Sequence, residues 1–234
     1  MQALFKAAQV IQFVKKPSLT EMLAKRVAFL TDYQNAAYAQ TYQSFVEKVR
    51  VVEAPLGKTT LTEAVARYLF KLMAYKDEYE VARLHTDTGF LNKVDAMFEG
   101  NFKLNYHLAP PLIAKQNDKG ELQKQPFGPW MLTGFKLLAR LKGLRGTPFD
   151  VFGRTDERRE ERALIAEYRD SIEEVLAGLS PENHATAVEI ARIPELIKGY
   201  GHVKARHLAA ARPQWSALMQ AFRQPERVPE SAAA

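Results

Sequence analysis

The chain has 234 residues, no cysteine and a formal net charge of +6, with a pI near 9.4. The missing thiols exclude disulfides, thiolate zinc sites, a cysteine nucleophile and cysteine-held iron–sulfur clusters from these residues. The 33 basic residues are interspersed with 27 acidic ones and form no block, so the surface reads as mixed and nucleic-acid binding rests on pI alone.

At this length the chain is one large domain or two small ones, and a domain of this size buries about 70–75% of its unfolded surface and needs no metal or disulfide to hold together. No apolar run reaches the ~20 residues of a membrane span. Residues 1–15 make a poor signal peptide, because Lys6, Gln9 and Gln12 interrupt the apolar core. The expected location is cytoplasmic, without a membrane or nucleic-acid partner.

In chain order, Leu4, Ala8 and Ile11, widened by Phe5 and Val14, give an apolar helix within residues 1–17. It is expected to be a contact with, or a remnant of, a preceding domain. Ser18 and Glu21 have capping-box spacing and open a long helix to about Val52. Gly57-Lys58-Thr59 tempts a phosphate-loop reading, but the glycine required five positions earlier is Val52, so no cradle of amides forms. A second capping box, Thr60 to Glu63, starts a helix expected to run to about Leu84. Along it Tyr75, Tyr79 and Arg83 recur four apart, as a core stripe or an aromatic–cation contact face. A short helix follows at about Phe90–Phe98.

From Phe102 to Leu108 apolar and polar residues alternate, which is the period of a half-buried strand. Pro110 and Pro111 end it, and the tetrad Asn117, Asp118, Lys119, Gly120 supplies a turn, so a hairpin is expected over about 102–125. Pro126 to Trp130 then form an aromatic corner into a helix at about 130–143. That helix is apolar over most of its girth, with Thr133, Lys136 and Arg140 as a narrow polar strip, and so is expected to be buried on several sides at the domain's hydrophobic centre. The alternative is a cleft lined by His107, Pro110, Pro111, Phe127 and Trp130.

Thr155 caps a charge-dense helix whose inner residues are Leu164, Tyr168, Ile172, Val175 and Leu179. Its adjacent acidic pairs, Glu160 with Glu161 and Glu173 with Glu174, diverge and read as a solvated face. Ser180-Pro181 starts the next helix and Pro194 another. The last spans His202 to about Phe222, where Pro213 should kink or divide it. Residues 223–234 have a disordered composition. The fold class is mainly α, about seven helices in a domain over residues 18–222 with one small β-hairpin near the middle. Nothing in the spacing supplies a catalytic, cofactor or metal site.

Three strings, RVAFLTDYQNAAYAQTY (26–42), YLFKLMAYKDEYEVARL (68–84) and the run from FEGNFKLNYHLAPPL (98–112) through PFGPWMLTGFKLLARLKGLRGTPFDVFG (126–153), are similar to the C-terminal domain of the bacterial indolepyruvate ferredoxin oxidoreductase family. GYGHVKARHLAAAR (199–212) agrees with that domain's last helix. The resemblance implies an accessory domain or subunit of an enzyme that oxidatively decarboxylates aryl 2-oxo acids to acyl-coenzyme A, passing electrons to ferredoxin. It implies thiamine diphosphate and iron–sulfur clusters in other domains and none in this chain. Its partners would be those domains. The competing readings are a free-standing helical interaction module, using the Tyr75/Tyr79/Arg83 face, and a nucleic-acid binder.

Overall fold

A computed structural model describes residues 17–86, 89–98, 100, 103–109 and 123–224. Among these, the elements in order are α1 (Leu19–Tyr33), α2 (Ala36–Glu53), α3 (Thr60–Met73), α4 (Glu78–Thr86), α5 (Phe90–Met97), β1 (Tyr106–Leu108), β2 (Gln125–Phe127), α6 (Met131–Arg140), α7 (Asp156–Ala177), α8 (His184–Arg192) and α9 (Gly201–Arg223). The mainly helical class with one small antiparallel sheet is as expected. The opening apolar helix, the 117–120 turn and the tail beyond Gln224 lie outside the described residues.

Two helices expected to be continuous are each broken in two. The first breaks after Tyr33 because Asn35 caps α2, its Oδ1 accepting from the Tyr38 amide at 2.8 Å. Ser18 and Glu21 form the expected reciprocal box at the start of α1. The second breaks at residues 74–77, where Asp77 Oδ1 accepts from the Glu80 amide at 2.8 Å and starts α4. Asp77-x-x-Glu80 is itself capping-box spacing, and it outweighs the apolar stripe that runs through it.

The expected Thr60–Glu63 box is replaced by a longer-range cap. Glu53, fully buried at the end of α2, accepts from the amides of Leu61 at 2.8 Å and Thr62 at 2.7 Å, and from the Thr62 hydroxyl at 2.6 Å. His184 Nε2–H of α8 donates to it at 2.8 Å. Burial alone would raise this carboxyl. The hydrogen bonds from Thr62, His184 and Leu61 outweigh burial and hold it below its ordinary value. One carboxylate thus joins three helices and meets the positive end of α3.

The larger apolar core is built from α1, α2, α3, α7, α8 and α9. Tyr42 and Tyr168 sit fully buried in it, their hydroxyls donating to the Ala66 and Ala191 carbonyls at 2.8 Å each. The stripe expected on α7 is buried from Leu164 to Val175, with Leu179 packed at its edge. Glu161 departs from the expected solvated face: it is buried and paired with Lys204. Asn183, rather than Ser180-Pro181, stands at the start of α8, and the Pro194 segment is a single 3-10 turn. α9 runs through Pro213 undivided, since Leu208, Ala211, Trp215, Met219 and Phe222 seat both halves on the core.

The central stretch is not the hydrophobic centre. It forms a second, smaller cluster in which Ala82, Tyr106, Phe135 and Ala139 are buried, joining α4, the hairpin and α6. The strands pair Tyr106 with Phe127, His107 with Pro126 and Leu108 with Gln125. Alternation holds through this strand, with Tyr106 buried and Asn105 and His107 exposed. Pro126 is tolerated because each strand of a two-stranded sheet is an edge.

Removing the Glu53 carboxylate strands two amides, a hydroxyl and an imidazole in the core. Glu53→Ala is expected to lower unfolding stability by about 3 kcal/mol or more, and Glu53→Gln, which keeps one acceptor, by about half as much. Urea unfolding at neutral pH measures both.

Candidate interaction surface

Between the two apolar clusters runs a seam of buried charges. Arg145 and Asp77 side chains are each 3% exposed. Arg145 Nε donates to Asp77 Oδ2 at 2.5 Å, Nη2 to Asp77 Oδ1 at 2.8 Å, and Nη1 to the Tyr33 carbonyl at 2.5 Å. Its guanidinium lies 3.6 Å from the Tyr33 ring centroid. Burial works against the charged form, but the hydrogen bonds and charge of Asp77 prevail and raise the Arg145 pKa. Nearby, Asp150 accepts from the Gly146 and Gly153 amides at 2.8 Å each. A Cβ on Gly153 would come within 2.2 Å of Asp150 Oδ2, so glycine is required there for this approach.

The residues expected to form an aromatic–cation face are drawn into this seam. Tyr75 lies in the break rather than on α4, its carbonyl accepting from the Tyr33 hydroxyl at 2.8 Å. Tyr79, 2% exposed, packs edge-on against Phe152 at 5.5 Å and donates to Asp150 Oδ1 at 3.2 Å. Burial, followed by the Asp150 charge and hydrogen bond, raises its phenol pKa. Arg83 pairs with Glu80 through two bonds of 2.8 Å and lies 4.9 Å over the Phe29 ring. All three tyrosine and arginine side chains are buried, so they make no open contact face.

The second expected group is partly resolved. Pro110 and Pro111 lie outside the described residues. His107 is exposed on β1. Phe127 and Trp130 meet edge-on at 6.0 Å, and Trp130 remains 65% exposed.

That exposure defines the surface. α6 turns Phe135 and Ala139 toward α4 and the hairpin, but it is apolar on a further side. At 100° per residue, Trp130, Leu137 and Leu141 fall together, at 65%, 60% and 39% exposure. Phe149 and Val151, just beyond, are 75% and 52% exposed. The helix expected to be buried on several sides is thus covered on one. The apolar girth of α6 is legible in its sequence, but the side left open is not, because periodicity does not reveal which neighbours are present.

The family model described as a family of unknown function, DUF6537, matches residues 19–217. No curated protein matches the chain, and no solved structure does.

His85 sits in the smaller cluster, stacked on Phe135 at 5.0 Å and edge-on to Tyr106 at 5.3 Å. Its buried Nδ1 has no hydrogen-bond partner among the described residues. Burial, then Lys76, lowers its pKa. The folded state therefore binds a proton less readily than the unfolded chain. Its contribution is complete above the ordinary imidazole value of 6.5 and is lost as pH falls toward the depressed folded value. Between pH 7 and 5 the native protein is expected to lose more stability than His85→Phe, as read by denaturant melts at each pH.

Proposed function

This chain belongs to the DUF6537 family across residues 19–217, and from that premise we propose that it is an accessory unit of an indolepyruvate or related 2-oxo acid:ferredoxin oxidoreductase. It acts there as a C-terminal domain or a separate subunit and is not catalytic by itself. The parent enzyme decarboxylates an aryl 2-oxo acid, forms the acyl-coenzyme A and passes electrons to ferredoxin. Thiamine diphosphate and iron–sulfur clusters belong to its other domains, and the working compartment is the cytoplasm.

The observation that carries the reading is the uncovered apolar side of α6, Trp130 with Leu137 and Leu141. Exposed tryptophan and leucine on a helix whose other apolar side is already packed are suited to dock against another protein surface. The four strings that resemble the oxidoreductase family are the reason for choosing that enzyme as the partner, and two of them run along α3–α4 and through α6 to the 145–154 loop. The described carboxylates at the seam and the α3 cap are engaged in structural bonds: Glu53 caps α3, Asp77 binds Arg145, and Asp150 caps the 146–153 loop. A scaffold that orients its neighbour is the role such an arrangement supports.

The alternative, a free-standing helical interaction module, uses the same face with a different partner. Co-purification with the thiamine-dependent, cluster-bearing remainder of the enzyme separates the two. The chain is expected to bind that remainder. Trp130→Glu and Leu137→Glu should each weaken the complex at least about thirtyfold, the effect of losing a ~2 kcal/mol anchor. Because both positions are exposed, the unfolding midpoint should stay near that of the native protein. Binding that ignores both substitutions, or that is directed to unrelated proteins, contradicts the reading.

A further inference from the structure

Away from α6, between α1, α3 and the start of α9, lies a cleft of about 740 Å³. That is the size of pockets that hold nucleotide-sized ligands. Arg67 and Lys71 reach it from α3, Arg26 from α1, Lys76 from the α3–α4 break, and Lys198 and Lys204 from either side of Tyr200. Among the described lining residues the one carboxylate is Glu161, and it is already paired with Lys204. The nearby Glu195 is taken up by the Tyr68 hydroxyl at 2.6 Å and by Arg192 at 3.3 Å.

With Lys204 paired to Glu161 and Lys71 giving one of its three hydrogens to the Pro194 carbonyl at 2.5 Å, five cations are left without a lining acid, a local imbalance that the chain as a whole, with 33 basic and 27 acidic residues, does not have. The cations are close enough to act on one another. Burial, then Lys204 and Lys198, lowers the Lys71 pKa, so the folded protein bears a repulsion that a bound anion would relieve. Arg26 adds a buried Nη1 with no hydrogen-bond partner among the described residues.

The walls are aromatic as well as basic. Phe29 and Phe70 meet edge-on at 5.3 Å on one side. On the rim Tyr200 is 66% exposed, with Lys76 Nζ 5.7 Å from its ring centroid. Gly199 and Gly201 flank it at φ of 88° and 54°. A Cβ on Gly199 would meet Val203 Cγ1 at 2.6 Å, so this loop can carry Tyr200 to the rim only with glycine there. A flat exposed ring beside clustered cations fits a ligand that is planar at one end and multiply anionic at the other.

We propose that this cleft binds a nucleoside polyphosphate, its phosphates held by Lys71, Lys198 and Lys204 and its base lying on the Tyr200 ring. The inference is independent of the docking role of α6. The cations gather in one cleft, which favours a small ligand over a single nucleic-acid strand.

Calorimetric titration of the full chain with ADP, inorganic pyrophosphate and a single-stranded oligodeoxythymidine tests it. ADP should bind saturably at one site per chain. Lys198→Gln, at an exposed side chain, should weaken ADP and pyrophosphate alike by about tenfold, as expected for a lost charge-assisted bond. Tyr200→Ala should weaken ADP about tenfold, the scale of one stacking contact, and leave pyrophosphate unchanged. Thermal melts of both variants should match the native protein. Absence of saturable ADP binding, indifference of ADP to both substitutions, an equal loss of pyrophosphate in Tyr200→Ala, or tighter binding of the oligonucleotide than of ADP would each overturn the proposal.

Discussion

Arg145 is an ion placed where an ion is costly, between two apolar clusters and 3% exposed in its side chain. Removing a guanidinium from water costs several kcal/mol, and attraction to a single carboxylate recovers that only with well-formed geometry. Here the geometry is complete: two bonds to Asp77, a third to the Tyr33 carbonyl and a tyrosine face at 3.6 Å. Asp77 at the same time caps α4. One ion pair therefore ends the α3–α4 run, anchors the loop after α6 and touches the end of α1. Around it, Arg83 with Glu80 and Arg158 with Glu78 continue the seam. The smaller cluster is joined to the larger one through charges whose directional bonds fix its orientation more narrowly than apolar contact would.

That orientation links the fold to the proposed role. α6 packs one side on α4, and α4 is set by the seam, so the direction in which Trp130 and Leu137 face follows from Asp77 and Arg145. An accessory unit must present its docking side at a fixed angle, and a seam of paired charges supplies stiffness without covering that side. The basic cleft lies at the opposite end of α3 from the Glu53 cap, sharing Lys76 and Tyr75 with the break. Ligand and partner could thus address one scaffold from different faces.

Much of this fold was legible in the residues. The Ser18 box, the α7 stripe and the alternation around Tyr106 all appeared as periodicity or local capping, which depend on a few neighbours in sequence. What was not legible depended on partners far along the chain. The Glu53 cap reaches α3 across the 54–60 turn and is completed by His184, 131 residues on. Tyr79 and Arg83 looked like a contact ladder because their spacing is helical, and only the fold shows Asp150 and Phe29 waiting for them. The break at Asp77 was readable, since Asp-x-x-Glu is a start signal, but a continuous tyrosine stripe masked it. The basic cleft was invisible because its cations come from four segments, each mixed with acids locally.

Native-state hydrogen exchange on Arg145→Met tests most directly the claim that one buried ion pair fastens the smaller cluster to the larger. If it does, the amides of α4, α6 and the hairpin should lose protection while those of α2, α3, α7 and α8 keep theirs. Uniform loss across both clusters, or no change in either, would contradict it.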